Sequence, residues 1–195
     1  MSDSKARRLL AEASTETKDL RKHLLVAAAL REVLSAEPIV VGGTAEEFWT
    51  KQAYHETDLD LCVGLRPEDL KTFVRLGFKK SGRHWIFRDV AVEIPESTID
   101  GDADRTVLEK VGQGKARIIG VDDLYLDRLR QTTMREVVEG VEFHSALAVT
   151  AAQYGAIDWP YVRRRIASEE EYLRVSMMRL NSRIRRRLRR ELGST

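Results

Sequence analysis

Two aspartates separated by one residue are the side chains whose type and spacing point most directly to chemistry. Asp58 and Asp60 alternate with Leu59 and Leu61, which predicts a β-strand with both carboxylates on one face and both leucines in a core. Adjacent carboxylates repel each other, and a hard divalent cation removes that cost. Mg²⁺ takes oxygen ligands and keeps substrate phosphates in its shell, so the pair is typical of half a metal site for phosphoryl chemistry. Taken alone, the tripeptide fits an exposed, merely alternating strand face better.

A glycine turn precedes this acidic strand. The β-branched run 39–41 is of buried-strand type, Gly42-Gly43-Thr44 follows directly, and a helix is predicted from Ala45 to Lys51. Glycine lets backbone N–H groups approach a phosphate closely, and the N-terminus of the following helix favours negative charge. A Gly-Gly pair alone also suits an ordinary strand-to-helix turn. The succession of strand, glycine turn, helix and acidic strand favours the phosphate-binding interpretation.

With Gly42-Gly43-Thr44 and Asp58-Leu59-Asp60, the chain resembles the nucleotidyltransferase-fold superfamily, the polymerase-β-like enzymes. In that superfamily a Gly-Gly or Gly-Ser turn precedes an acidic strand of this type by about this interval. The longer string, which includes Tyr54 and Thr57, is similar to minimal nucleotidyltransferases, among them AbiEii-type toxins. The resemblance covers residues 20–165, and its first half is the more specific.

The resemblance implies a site and a reaction. Asp58 and Asp60 match the metal-binding carboxylates, and Gly42, Gly43 and Thr44 match the turn that contacts the nucleotide phosphates. The implied cofactor is Mg²⁺ or Mn²⁺, and the implied donor substrate is an NTP. An acceptor hydroxyl would attack the α-phosphorus in line and release pyrophosphate.

The resemblance also implies a third carboxylate on a later strand, and Glu93 is the best match. The segment Val90-Ala-Val-Glu-Ile-Pro predicts valines in the core and Glu93 on the opposite face. An exposed sheet carboxylate is the alternative. The competing acids are Asp89, Asp100, Asp102 and Asp104.

Two further residues are candidates for nucleotide contact. Relatives carry a lysine near the nucleotide on the helix after the core sheet, and the matching position here is Arg128. An exposed helix charge is the other interpretation of this arginine. His55 lies in the loop before the acidic strand, from which it could approach the triphosphate, whereas His84 reads as an ordinary surface or sheet histidine.

Hydrophobic periodicity predicts the elements that position these residues. Leucines at helix-like spacing predict helix over 5–35, with a break near Thr15 as the alternative to one continuous helix. The remaining predictions are strands at 58–63, 84–87, 90–94 and 116–120, and helices at 67–76, 121–134, 143–153 and from Pro160, with Asp158 as the candidate N-cap of the last. This order is α+β: a nucleotidyltransferase-like mixed sheet flanked by helices, with a C-terminal helical part. We predict a core domain with an N-terminal helix at 1–120 and a helical region with a basic tail at 121–195.

Composition limits the class of protein. The chain has 195 residues, 43% hydrophobic and 33% charged, which suits a soluble protein with a sizeable core. No apolar run is long enough to cross a membrane, and no signal peptide is recognisable, so the expected location is the cytoplasm. The single cysteine, Cys62, excludes an intramolecular disulfide and a multi-cysteine zinc site.

Charge is distributed unevenly along the chain. Residues 160–195 hold 11 arginines, no lysine and four glutamates, whereas residues 1–159 hold 22 basic and 27 acidic residues. Arginine suits phosphate contact because its planar fork matches phosphate geometry. The candidate nucleic-acid-binding residues are Arg183, Arg186, Arg187 and Arg190. The alternative is an amphipathic helix packed on the body of the protein or across a dimer interface.

The leading hypothesis is therefore a Mg²⁺-dependent nucleotidyltransferase that acts on RNA such as tRNA, or on a protein. In the second case it would be the toxin of a toxin–antitoxin pair, with a cognate antitoxin as partner. The alternatives are a non-catalytic RNA-binding module on the same fold and a nucleotidyltransferase for small molecules.

Overall fold

The computed structural model describes residues 2–51, 58–135 and 140–192. The helices are α1 (Ser2–Ala13), α2 (Asp19–Arg31), α3 (Gly42–Thr50), α4 (Pro67–Arg75), α5 (Val121–Met134), α6 (Val141–Gln153), α7 (Trp159–Ala167) and α8 (Glu171–Leu192). The strands are β1 (Ile39–Val40), β2 (Asp58–Cys62), β3 (Lys79–Ser81), β4 (His84–Phe87), β5 (Val90–Glu93), β6 (Val107–Val111) and β7 (Gly114–Ile118). The predicted α+β class, with a mixed sheet and a C-terminal part made of helices, is confirmed.

The chain divides into two compact units. The first comprises Met1–Phe48 and Tyr54–Gly120, and the second comprises Trp49–Ala53 and Val121–Thr195. The first unit contains the whole sheet, and the second contains α5 to α8. The predicted domain division at residue 120 stays a prediction, because compactness alone does not show that either part folds independently.

The first unit contains one seven-stranded sheet, with the strands in the order β3-β4-β5-β2-β1-β7-β6. The pairs β1–β7 and β2–β5 are parallel, and the other neighbouring pairs are antiparallel. In the centre of the sheet, β2 lies between β1 and β5, and its leucines Leu59 and Leu61 are fully buried. The alternation read from the sequence therefore identified the core face of β2 correctly.

Helix α2 supplies much of the core of the first unit. Every residue from His23 to Leu30 is buried, and the helix packs against α1, β7, β6 and β2. A helix that is apolar on all sides is stable only when covered on all sides, which explains the need for both α1 and the sheet. The break between α1 and α2 spans residues 14–18, so the two-helix alternative for residues 5–35 is correct.

The start of α4 is fixed by a buried carboxylate. Asp69 is 2% exposed and accepts hydrogen bonds from the Arg66 N–H at 2.8 Å, the Ser35 N–H at 2.9 Å and the Ser35 hydroxyl at 2.6 Å. Burial alone would raise the pKa of Asp69, but these hydrogen bonds outweigh it and hold the pKa below its usual value. Asp69 thus ties α4 to the segment that follows α2.

Two strands and one helix start differ from the sequence predictions. No strand was predicted at β3 or at β6. The residues of β3 are all exposed and lack an apolar face. Helix α3 begins at Gly42 rather than at Ala45, so both glycines belong to its first turn. Gly42 has φ +59°, a conformation that residues with a Cβ rarely adopt.

Buried hydrogen bonds connect the helices of the second unit. The Tyr125 hydroxyl on α5 donates to Asn181 on α8 at 3.0 Å, and the Tyr161 hydroxyl on α7 donates to the fully buried Asp123 at 2.6 Å. Burial, together with the Asp123 carboxylate, raises the pKa of Tyr161 to about 12. Asp158 caps α7 by accepting from the Tyr161 N–H, as the sequence predicted. Among the helices described, none is both long and apolar enough to cross a membrane.

Candidate active site

Three neighbouring strands bring the predicted acids together. In the parallel β2–β5 pair, Asp60 lies opposite Glu93 and Asp58 lies opposite Ala91. In the antiparallel β4–β5 pair, Glu93 also lies opposite His84. Because residues in register share a face of the sheet, these side chains emerge on the side opposite the buried Leu59.

Asp58, His84 and Glu93 form a compact cluster. One potential ligand atom from each of them lies within 4.8 Å of the others. His84 Nε2 is 3.3 Å from Glu93 Oε2 and 3.6 Å from Asp58 Oδ2. All three residues are partly exposed, so a ligand can reach them, and Arg83 Nε lies 3.2 Å from the same Glu93 oxygen.

Asp60 lies beside the glycine turn, and its role as a metal ligand stays a prediction. Its carboxylate lies against Gly42 at the start of α3: a Cβ built on Gly42 would be only 2.0 Å from Asp60 Oδ2. The backbone also joins the two segments, since the Val41 N–H donates to the Asp60 carbonyl at 3.0 Å. The glycine turn and the acidic strand are therefore in direct contact, and any larger residue at position 42 would force the Asp60 side chain to move.

Thr44 holds the acidic strand from inside the protein. It is fully buried, and its hydroxyl donates to the Asp58 carbonyl at 3.1 Å. The same oxygen lies 3.3 Å from His23 Nδ1, and since its only proton is used on Asp58, the Nδ1–H of His23 must be the donor. Burial lowers the pKa of His23 below its usual value, which favours this neutral form. Because its hydroxyl is engaged in this way, Thr44 can offer a nucleotide only its backbone N–H. The predicted contact between Thr44 and the nucleotide stays a prediction.

The donor set and its spacing fit a divalent cation. Two ligands of one ion with bonds of roughly 2.1 Å lie about 3 to 4 Å apart, and the His84 contacts with Glu93 and Asp58 fall in that range. His84 Nε2 is a buried atom that makes no hydrogen bond within the described part of the chain. Carboxylates suit Mg²⁺ and Mn²⁺, whereas an imidazole suits transition metals.

His84 was not among the residues predicted to belong to the site, although a signal for it was present in the sequence. Strands were predicted at 84–87 and 90–94, and a two-residue connection between them pairs Phe87 with Val90 and therefore His84 with Glu93. Two buried carboxylates on α3, Glu46 and Glu47, were also not anticipated.

The other predicted residues have the following places. Asp89 lies in the β4–β5 turn and pairs with Lys22 at 2.5 Å, and Asp102 accepts from the Asp104 N–H at 3.0 Å. Arg128 lies on α5 in the second unit, is 8% exposed, and donates to Gln131 at 3.0 Å. Its predicted nucleotide contact stays a prediction. Tyr54, His55 and Thr57 lie outside the described residues.

The arginines near the end of the chain fall on α8 and differ in their surroundings. Arg183 is half-buried, with its guanidinium 5.1 Å from the centre of the Phe143 ring, and Arg185 lies 4.6 Å from the Trp159 ring. Hydrogen bonds from Arg189 and Arg185 hold the pKa of Tyr154 below its usual value. Arg183, Arg187, Arg190 and Glu191 line an open concavity of about 390 Å³. Arg186, Arg187 and Arg190 are exposed.

Comparison with known proteins gives one likeness of fold. No family model matches the sequence, and no curated protein matches it. The structure is similar to the solution structure of the antibiotic-resistance factor ANT(2'')-Ia, with 14% identity, 91% of this chain and 97% of that chain covered, and a TM-score of 0.47. No residue assignment rests on this likeness.

Proposed function

We propose that this protein is a divalent-metal-dependent nucleotidyltransferase that moves a nucleotidyl group from an NTP to an acceptor hydroxyl. One observation carries the proposal: Asp58 and Glu93 converge with His84 on one face of the sheet, and Asp60 on the same face touches the glycine that begins α3. Paired carboxylates beside a helix N-terminus suit a metal-bound triphosphate.

Each residue has a distinct task in this proposal. Asp58 and Asp60 hold the cation, and Glu93 acts either as a third ligand or as the base that takes the proton of the acceptor hydroxyl. The first backbone N–H groups of α3 lack acceptors within the helix and face the phosphates. Bound Mg²⁺ or Mn²⁺ supplies charge stabilisation to the transferring group. His23 and Thr44 are positioning residues, because they fix the backbone at Asp58 from the buried side.

The acceptor class we favour is RNA, tRNA included. The observation behind this choice is the exposed arginine group of α8 around an open concavity, since guanidinium groups suit phosphate backbones. A protein acceptor, with a cognate antitoxin in a toxin–antitoxin pair, is the second candidate, and a small-molecule acceptor is the third. A non-catalytic RNA-binding protein is the alternative to an enzyme.

Label transfer tests the enzymatic proposal directly. The full chain is incubated with labelled NTPs, Mg²⁺ or Mn²⁺, and in parallel total tRNA, a cell protein extract or a set of hydroxylated antibiotics. We expect label on one acceptor class, and we expect Asp58→Asn to reduce the rate by a hundredfold or more. Asp89→Asn is the matched control, because it neutralises a nearby acid that pairs with Lys22 instead.

Two results would contradict this proposal. Absence of label on all three acceptor classes with a folded, metal-bound protein would favour the non-catalytic alternative. Equal rates for Asp58→Asn and the wild type would remove the acidic cluster from the reaction. A growth comparison of cells that express the wild type or Asp58→Asn tests the toxin role separately.

A further inference from the structure

His84 is the one member of the cluster that phosphate chemistry with Mg²⁺ does not need. Its Nε2 atom is buried, lies 3.3 Å from Glu93 Oε2 and 3.6 Å from Asp58 Oδ2, and makes no hydrogen bond with any described residue. An orphaned polar atom at such a position is costly unless something occupies the space it faces. The strand register holds it there, because His84 and Glu93 are directly opposed on β4 and β5.

Imidazole changes which cation a carboxylate pair prefers. Mg²⁺ demands oxygen ligands and gives up its waters reluctantly, so a nitrogen donor adds little to its binding. Mn²⁺ and the later divalent transition metals accept both carboxylate oxygen and imidazole nitrogen, with affinity rising along the series. A site that adds an imidazole to its carboxylates therefore discriminates between the two classes of ion.

We propose that His84 is a metal ligand of this site and that its imidazole makes the site selective for transition-metal dications, Mn²⁺ among them, over Mg²⁺. This inference rests on the metal-dependent function proposed above. His84 binds through Nε2, alongside carboxylate oxygens of Asp58 and Glu93.

One competing arrangement makes the opposite prediction. A cationic imidazole between Asp58 and Glu93 would act as their counter-ion, as the Arg83 guanidinium does at 3.2 Å from Glu93. Removing a counter-ion makes the net charge of the site more negative, and this tightens the binding of any cation. Removing a ligand weakens binding, and weakens it most for the ion that uses nitrogen. The sign of the change in metal affinity on loss of His84 therefore distinguishes a ligand from a counter-ion.

The test measures metal binding by the full-length chain without nucleotide. Free Mn²⁺ is titrated by electron paramagnetic resonance and Mg²⁺ by calorimetry, for the wild type, His84→Asn and Arg83→Gln. We expect His84→Asn to weaken Mn²⁺ binding by roughly tenfold or more, as losses at metal sites do, and to change Mg²⁺ binding much less. Arg83→Gln is the matched control, and it should leave the ratio of the two affinities unchanged. Mn²⁺ binding by His84→Asn that equals or exceeds that of the wild type would overturn the proposal.

A second measurement is made on the wild-type protein, and variants serve only to assign the coupled nitrogen. Electron spin-echo spectra of Mn²⁺ bound to the wild-type protein labelled with ¹⁵N-histidine should show coupling to a histidine nitrogen, and its absence would also overturn the proposal. His55→Asn should retain the coupling and His84→Asn should lose it. Nitrogen-coupled Mn²⁺ without any label transfer would sink the proposed function alone. Label transfer with no preference for Mn²⁺ in the binding titrations would sink this inference alone.

Discussion

Gly42 is needed both for its backbone and for the space beside it. Its φ of +59° disfavours any Cβ, and that Cβ would also overlap Asp60 Oδ2 at 2.0 Å and come within 3.0 Å of Asp60 Cβ. Gly82 has nearly the same φ, +55°, but nothing within 4 Å of its Cβ position. The two glycines therefore separate conformational strain from displacement of the aspartate.

We expect Gly82→Ala to cost about 1–2 kcal/mol of unfolding free energy from strain alone. Gly42→Ala should cost more than this and should also weaken Mn²⁺ binding, because Asp60 has to move. Urea denaturation and metal titration of both variants measure the two effects. Equal stability losses with unchanged Mn²⁺ affinity would show that Asp60 tolerates a Cβ at position 42.

The carboxylate of Asp69 gives a pH-dependent prediction. The pKa of the folded form lies below the unfolded value of about 3.8, so the carboxylate stabilises the protein above that pH, and this contribution is lost as the pH falls through the folded pKa. Asp69→Asn should lower the unfolding free energy by about 1–3 kcal/mol at pH 7, since hydrogen bonds to a charged group are lost. Urea denaturation should show that the difference in unfolding free energy between the wild type and Asp69→Asn becomes smaller below about pH 4. A difference that is constant from pH 7 to pH 3 would contradict this account.

At the level of residues, the sequence predicted the positions of side chains only where the alternation of a strand determines which face they occupy. Alternation identified the faces of Asp58, Leu59 and Glu93. The turn of Asp60 toward Gly42 was not readable, because it depends on how closely α3 approaches β2. The buried contacts of Thr44 with His23 and the Asp58 carbonyl were likewise hidden, since they join residues far apart in the chain.

At the scale of elements, α8 combines two kinds of arginine. Arg183 and Arg185 pack over aromatic rings within the second unit, while Arg186, Arg187 and Arg190 are exposed. Truncating the helix would also remove Ile184 and Leu188, which are buried. Substitution of the exposed arginines is therefore the cleaner test of RNA binding.

We expect replacement of Arg186, Arg187 and Arg190 by glutamine to weaken tRNA binding and to reduce the slope of log affinity against log salt by up to roughly 2 to 3. Thermal stability should change little. The charge-matched control replaces three exposed basic residues of the first unit, Arg8, Lys71 and Lys79. Equal losses in both triple variants would mean that net charge, rather than α8, governs RNA binding.

Long, strongly periodic elements were the most predictable. The limits of α5 and the cap of α7 matched closely, because periodicity and an Asp-Trp-Pro start are local signals. Strands β3 and β6 were missed. All three residues of β3 are exposed, and in β6 only the last residue is buried, so neither strand shows an apolar face in the sequence. Their pairing in hairpins, rather than their own composition, makes them strands.

At the scale of the molecule, a bound ion should stabilise the unit that holds it. A ligand that binds only the folded state raises the unfolding free energy by about 2.7 kcal/mol at a free concentration one hundred times its dissociation constant. Mn²⁺ should therefore raise the melting temperature of the wild type, and EDTA should reverse the change. Asp58→Asn should abolish this shift. A shift of equal size in Asp58→Asn would locate the ion elsewhere in the protein.

The order in which strands neighbour one another was beyond local reasoning. Alternation shows which side chains share a face of one strand, but it does not show that β2 lies beside β5, because α4, β3 and β4 come between them in the chain. The cluster of Asp58, His84 and Glu93 exists only because of that adjacency.

The close approach of Gly42 to Asp60 also constrains how this protein can diverge. In a lineage that lost the acid at position 60, alanine at position 42 would cost only backbone strain, whereas alanine at position 42 with the acid still present would cost both strain and displacement of the carboxylate. Among descendants of a common ancestor, glycine at 42 and a carboxylate at 60 should covary, with drift at position 60 preceding drift at position 42.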